Sequence, residues 1–214
     1  MATTRRYGDG CAIATALDQV GERWALLVVR ELLLGAKRFT DLQEGLPNAG
    51  PKILAQRLRE LDAAGIVVRR TLPPPAASQV YELTERGAQL EDVVVALGRW
   101  GAGGTESEDP VSADSAMIRL RSLFVPQSLQ PWTATYEMRL GRHRFTVQVT
   151  DGELVEMSRG EPRARVDVVI ESDADTLARV VGDGPALPKA IKDGRLTISG
   201  DNVAGKRLFR AAQS

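Results

Sequence analysis

The sequence is poor in residues that announce chemistry. Its 214 residues include one Cys and one His, and aromatic side chains make up only 5%. A single Cys excludes an intramolecular disulfide framework and a Cys-rich zinc site. A single His leaves no second one for a metal pair. There is no HExxH, no P-loop and no Gly-rich dinucleotide fingerprint, so neither an enzyme nor a resident cofactor is expected. No run approaches 18 consecutive apolar residues, so no transmembrane helix or membrane partner is expected. Arg5-Arg6 leads into Tyr7-Gly8-Asp9-Gly10 rather than an apolar stretch, so no secretory signal is expected. Together with the scarcity of Cys, this fits a cytoplasmic location. Excess charge is lacking too: 28 Lys+Arg meet 28 Asp+Glu, a formal net charge of +0. As a total, that argues against a nucleic-acid binder.

What is present is the composition of a globular protein, 43% apolar and 26% charged. The length suits one large or two small domains. A small, acidic, Gly-rich stretch, Gly101-Ala-Gly-Gly-Thr-Glu-Ser-Glu-Asp-Pro110, lacks hydrophobic periodicity and reads as a linker. The expected organisation is therefore a domain over residues 1–100, a linker over 101–112 and a second domain over 113–214. Charge is also unevenly spread. Between Lys37 and Arg70, the basic residues Lys37, Arg38, Lys52, Arg57, Arg59, Arg69 and Arg70 outnumber Asp41, Glu44, Glu60 and Asp62, leaving +3. A neutral total hides a local positive stretch.

The first half reads as helices and one hairpin. Ala12–Val20 and Glu22–Leu34 carry apolar residues at helical spacing, the second including Trp24, Leu27, Val28 and Leu32. Thr40 followed by Gln43 has the form of a capping box, predicting a third helix from Asp41. After the turn Gly45–Gly50, Pro51 opens a fourth helix that runs to about Ala64. Ile66–Leu72 and Gln79–Leu83 are β-prone and flank a Pro-rich loop. Thr84 then caps a long helix to about Trp100. Two helices joined by a short turn and followed by a hairpin form a winged helix-turn-helix outline.

Several blocks in this order carry a family resemblance. They are Ala16-Leu-Asp-Gln-Val-Gly-Glu-Arg-Trp24, Arg30-Glu-Leu-Leu-Leu-Gly35, Arg38-Phe-Thr-Asp-Leu42, Leu54-Ala-Gln-Arg-Leu-Arg-Glu-Leu61 and Tyr81-Glu-Leu-Thr-Glu-Arg-Gly87. Together with Cys11-Ala-Ile-Ala, they make residues 8–100 resemble the HxlR-type winged helix-turn-helix regulators, relatives of the MarR regulators. The resemblance implies a sequence-specific transcription regulator that binds a palindromic double-stranded operator as a homodimer. The dimer would form through roughly Tyr7–Val20 and Leu90–Trp100. One departure is visible: the family has a Ser just before the Pro of the recognition helix, where this chain has Gly50.

With Leu54, Leu58 and Leu61 buried, a helical projection points Lys52, Gln56 and Arg59 away from the core and toward base edges. Arg57, at the flank, suits a phosphate or an internal salt bridge. Arg38 and Thr40, at the start of a helix, suit a phosphate. Arg69, Arg70, Ser78 and Gln79 lie on the expected wing and suit the DNA backbone or the minor groove.

In the second half, Asp114–Phe124 reads as a helix. Ala134, Tyr136, Met138 and Leu140 share one strand face, as do His143, Phe145, Val147 and Val149. Asp151-Gly152 is a hairpin signal. Four or five antiparallel strands packed by helices give an α+β domain. The blocks Asp151-Gly-Glu-Leu, Ala174-Asp-Thr-Leu and Ile191-Lys-Asp-Gly-Arg-Leu-Thr-Ile-Ser-Gly-Asp201 resemble the sterol-carrier-protein-2-like domain. The resemblance implies an apolar cavity for an effector, with Met117, Trp132, Tyr136, Met138, Phe145, Val147 and Leu177 as lining candidates. Those seven also suit a plain core. An alternative role is an apolar-molecule carrier whose winged helix makes protein contacts. Some members of the regulator family sense oxidants through a Cys near the first helix, so Cys11 is either a redox sensor or an inert thiol. His143, between Arg142 and Arg144, reads as a strand-end residue.

Overall fold

The computed structural model describes residues 7–74, 77–102, 109–183 and 186–212. The chain divides into two compact units, Met1–Val94 and Val95–Ser214. The division falls inside a helix, and residues 103–108 of the expected linker lie outside the described residues.

The first unit opens with α1 (Ala12–Val20), α2 (Ala25–Leu32), α3 (Phe39–Gly45) and α4 (Pro51–Ala63). The antiparallel strands β1 (Val67–Thr71) and β2 (Gln79–Leu83) follow. Lys37 adds a single bridge to β2 opposite Tyr81, so the wing is anchored to the segment before α3. Val28, Val29, Leu42, Leu54, Leu58 and Leu61 form the core, each at most 1% exposed.

Three boundaries differ from expectation. The second helix begins at Ala25 because Trp24 has φ +77°, a left-handed conformation that a helix cannot contain. The third begins at Phe39, not Asp41. The Asp41 carboxylate reaches back to the Arg38 N–H at 3.1 Å, so Asp41 makes the capping contact and Thr40 sits within the first turn. The helix expected over 84–100 is two, α5 (Glu85–Ala88) and α6 (Glu91–Ala102). Thr84 accepts from the Gly87 N–H at 3.0 Å and starts α5. A Cβ on Gly87 would stand 2.0 Å from the Ile66 carbonyl oxygen. The short helix is thus held against the base of the wing by a residue with no side chain.

The second unit holds α7 (Ala113–Leu123), β3 (Ala134–Leu140), β4 (His143–Thr150), β5 (Glu153–Arg159) and β6 (Val168–Ser172). These are followed by α8 (Ala174–Val180), α9 (Ala186–Lys192), β7 (Leu196–Gly200) and α10 (Asn202–Ala211). The five strands form one sheet in the order β5-β4-β3-β6-β7. The expectation of a purely antiparallel sheet is corrected at its centre, where β3 and β6 run parallel. A parallel pair needs a crossover, and the segment between β5 and β6 supplies it. Asp151-Gly152, with φ +52° and +81°, makes the two-residue turn between β4 and β5. One sheet face packs its apolar side chains with Met117 and Leu120 of α7, Leu177 of α8, and Leu208 and Phe209 of α10. The opposite face carries the polar residues of the same strands.

Candidate nucleic-acid interface

The turn between α3 and α4 is fixed from within. Gln43 Nε2 donates to the carbonyls of Leu46 and Ala49, at 3.3 and 3.2 Å. Pro51 follows Gly50 at the start of α4, and no side chain caps that end. Pro51 has no N–H, and the Ile53 and Leu54 N–H groups both donate to the Gly50 carbonyl, at 2.9 and 3.0 Å. The helix thus closes its first turn on its own backbone, and Gly50 adds no side-chain hydroxyl there. Leu54, Leu58 and Leu61 are buried, which turns Lys52 and Arg59, seven residues apart, to solvent two turns from each other. Neither makes an ion pair or side-chain hydrogen bond among the described residues. Gln56 is half-buried and donates to Glu60 Oε1 at 2.9 Å.

Arg57 departs from its reading as a phosphate contact. It is 8% exposed and sits between Glu60, to which it donates, and Glu22, 3.6 Å away. Its alternative reading, an internal salt bridge, describes its place. The geometry explains this: three and four residues from Leu54 and Leu61, Arg57 lies beside the buried stripe rather than across from it. Lys37 is likewise withdrawn from the positive stretch, buried against Glu31.

Arg38 and Thr40 are exposed at the start of α3. On the wing, Arg69 donates to Gln79 across the hairpin and both are exposed, while Arg70 Nε lies 3.1 Å from Glu82. Ser78 is half-buried beside the loop, whose residues 75–76 lie outside the described residues. The structure therefore leaves Arg38, Lys52, Arg59, Arg69 and Arg70 as exposed basic side chains on α3, α4 and the wing, the elements of a helix-turn-helix that meet phosphates and base edges.

The seven lining candidates of the second unit are all buried. Met117, Tyr136, Met138, Phe145, Val147 and Leu177 are 0% exposed and Trp132 is 9% exposed. Tyr136 is also tied by hydrogen bonds, accepting from Trp132 Nε1 at 2.7 Å and donating to the Ala204 carbonyl at 3.0 Å. Burial pushes its phenol pKa up to about 12. All seven thus lie in the buried core of the unit. A concavity of about 380 Å³ lies instead on the other side of the sheet, beneath the crossover segment, and its lining is polar. Sequence reasoning passed over it because it followed the apolar strand face. The signal available was the polar half of the same alternation.

Cys11 is exposed and caps α1, its Sγ accepting from the Ala14 N–H at 3.3 Å. His143 is half-buried, with Nδ1 3.1 Å from Arg159 Nη1. Among the described residues, no group of three His, Cys, Asp or Glu side chains is placed to hold a metal ion. No described helix is long and apolar enough to cross a membrane.

Comparison with known proteins matches residues 19–109 to the HxlR-like helix-turn-helix family and residues 119–212 to the SCP-2 sterol transfer family. The HTH-type transcriptional regulator YvaP of Bacillus subtilis is 34% identical over 99 residues, 46% of this chain and 89% of YvaP. The HTH-type transcriptional regulator YodB of the same organism is 36% identical over 97 residues, 45% of this chain and 87% of YodB. The reduced form of YodB aligns with a TM-score of 0.40 at 35% identity, covering 46% of this chain and 98% of that one. The chain thus belongs to the HxlR-like helix-turn-helix family of transcriptional regulators, and its C-terminal part is similar to the SCP-2 sterol transfer family over residues 119–212.

Proposed function

We propose that this protein is a cytoplasmic homodimeric regulator that places α4 of each subunit in the major groove of a palindromic operator. Its second domain would tune DNA affinity by taking an effector, without catalysing a reaction. The observation that carries the reading is the exposure of Lys52 and Arg59 on the face of α4 opposite Leu54, Leu58 and Leu61. Gln56 joins that face once it exchanges Glu60 for a base edge, because its present partner is a half-exposed side chain one turn away. Arg38 and Thr40 grip a phosphate, and Arg69 and Gln79 meet the backbone beside the wing. Arg70 and Ser78 are further wing contacts.

Homodimerisation is supported by apolar side chains facing solvent. Ile13 and Leu17 lie one turn apart on α1. Val93, Leu97 and Trp100 follow at i, i+4 and i+7 on α6, with Trp100 83% exposed and Ile13 74%. A helix stripe of this kind asks for a partner. An electrophoretic shift assay with the DNA upstream of the protein's own gene tests the reading. A shift that a scrambled duplex of equal length does not reproduce is expected, and equal binding of both duplexes refutes sequence-specific regulation.

Exposure of Cys11 at the N-cap of α1 favours a second reading, a thiol switch on the same regulator. Peroxide releases wild-type protein from DNA under this reading, and Cys11→Ser does not respond. Equal release of both removes it. The carrier alternative requires the seven lining side chains to part for an apolar molecule.

A further inference from the structure

The central strands of the second unit have two unlike faces. Tyr136, Phe145 and Val147 point into a core with no exposed surface. Their neighbours Thr135, Thr146 and Gln148 point the other way, into the concavity of about 380 Å³. That volume lies within the range of small-molecule sites. The crossover residues Glu161–Ala164 wall it on one side, and Glu156 of β5 closes another.

The wall is pinned at both ends. The Gly160 N–H donates to the Arg144 carbonyl at 2.8 Å, and Thr146 Oγ1 donates to the Gly160 carbonyl at 3.2 Å. At the far end, the Asp167 N–H donates to the Thr135 carbonyl at 2.9 Å, and the Thr135 N–H returns a bond to Asp167 Oδ2 at 2.9 Å. Gly160 has φ +119°, which a residue with a side chain rarely adopts, so the chain is turned over the sheet at a glycine. The concavity is therefore built by a fixed segment over a flat, hydrogen-bonded floor.

Its chemistry is specific. The Gln148 amide and the Thr135 hydroxyl face one another across β3 and β4 and have no hydrogen-bond partner among the described residues. Glu156 is oriented by a hydrogen bond from Ser158 Oγ at 2.7 Å. Glu161 and Arg163 stand exposed on the wall. Arg159 borders the space, but its guanidinium is directed to Asp114 and lies over the Phe145 ring at 4.8 Å, on the core side. The charges left facing the concavity are two carboxylates and one guanidinium.

We propose that this concavity is an effector site, and that it takes a zwitterion of amino-acid size. The ammonium group meets Glu156 and Glu161, the carboxylate meets Arg163, and the backbone of the ligand lies over Gln148 and Thr135. This rests on the reading of the second domain as an effector module and names the site and ligand class.

Isothermal titration of the full chain with each of the twenty common L-amino acids, with palmitate as the apolar probe, tests it. At least one amino acid is expected to bind. Glu161→Gln and Arg163→Gln should each weaken that binding at least about tenfold, the loss of one charge-assisted hydrogen bond, with thermal unfolding unchanged. The proposal is overturned if no amino acid binds at about 10 mM, a Kd weaker than any useful effector. It is also overturned if both variants bind like wild type, or if palmitate displaces the amino acid. Failure of the unliganded wild-type chain to bind DNA counts against the regulator reading alone, because calorimetry reads the ligand site independently.

Discussion

Lys37 Nζ lies 2.5 Å from Glu31 Oε2, and the two side chains are 4% and 0% exposed. Arg30 approaches the other carboxylate oxygen at 2.8 Å. A Cβ on Gly45 would stand 2.2 Å from Glu31 Oε2, so the end of α3 closes over the pair only because that position is glycine. Lys37 also pairs with Tyr81 through its backbone. One buried ion pair thus joins α2, α3 and the wing. Removing one partner leaves a buried charge, which costs about 3–5 kcal/mol. Lys37→Met is expected to destabilise the first unit toward the lower end of that range, because Arg30 remains. The Glu31→Gln/Lys37→Met double variant should recover part of the loss. Urea unfolding followed by circular dichroism measures both. Equal stability of the single variant and wild type would show that the pair contributes little.

Lys52 and Arg57 lie five residues apart on one helix and are expected to fail differently. Lys52→Ala leaves the urea midpoint unchanged and weakens specific DNA binding, by about 1–3 kcal/mol if it makes a good base contact. Arg57→Ala removes a mostly buried guanidinium between Glu22 and Glu60. It should lower stability by about 1–3 kcal/mol, with any loss of DNA binding following the loss of fold. A variant pair with the effects reversed would show that the recognition face is rotated from the one described.

Tyr136 gives the second unit an alkaline limit. Its folded pKa, about 12, is above the unfolded value of 10.0 because the phenol is buried. A raised pKa means that the folded state holds its proton where the unfolded state has lost it. The associated stability is complete below pH 10 and disappears as pH rises toward 12, amounting to about 2–3 kcal/mol. Chemical denaturation between pH 9 and 12 should show this slope, and Tyr136→Phe should reduce it. Tyr136→Phe should also be less stable at neutral pH, since Trp132 Nε1 loses its acceptor. An unchanged alkaline slope in the variant would assign the effect to other groups.

The apolar stripes on α1 and α6 predict the oligomeric state. Wild type should run as a dimer in size-exclusion chromatography with light scattering. Ile13→Glu/Trp100→Ala should shift it toward monomer without altering the far-ultraviolet spectrum, because both side chains are exposed in the single chain. A double variant that remains fully dimeric would place the interface elsewhere.

Much of this architecture is legible in the sequence because local signals and packing agree. Pro51 opening α4, the alternation in β3 and β4, and the Asp151-Gly152 turn are all found where expected. Other features are set by tertiary contact. The break between α5 and α6 and the close approach of Gly87 to the Ile66 carbonyl are features that no helical periodicity reports. The parallel pairing of β3 with β6 depends on strands distant in sequence. At the site, the face of α4 could be projected from Leu54, Leu58 and Leu61. For Arg57 the sequence left open a phosphate or an internal salt bridge, and its partners Glu60 on the same helix and Glu22 before α2 decide between them. The withdrawal of Lys37 could not be projected, since Glu31 comes from another element. The apolar strand residues were recognisable as buried, but sequence alone does not distinguish a filled core from a lined cavity.

The most direct test of the central claim is the salt dependence of affinity for the DNA upstream of the protein's own gene, the proposed operator, measured for wild type and for Lys52→Ala/Arg59→Ala. Each phosphate contact contributes about 0.9 to the slope of log K against log salt, and base contacts change affinity without changing that slope. Wild type is predicted to prefer the operator over a scrambled duplex across the titration, and the double variant to lose that preference while staying folded. A double variant that keeps wild-type preference for the operator would contradict the assignment of this face of α4 to DNA.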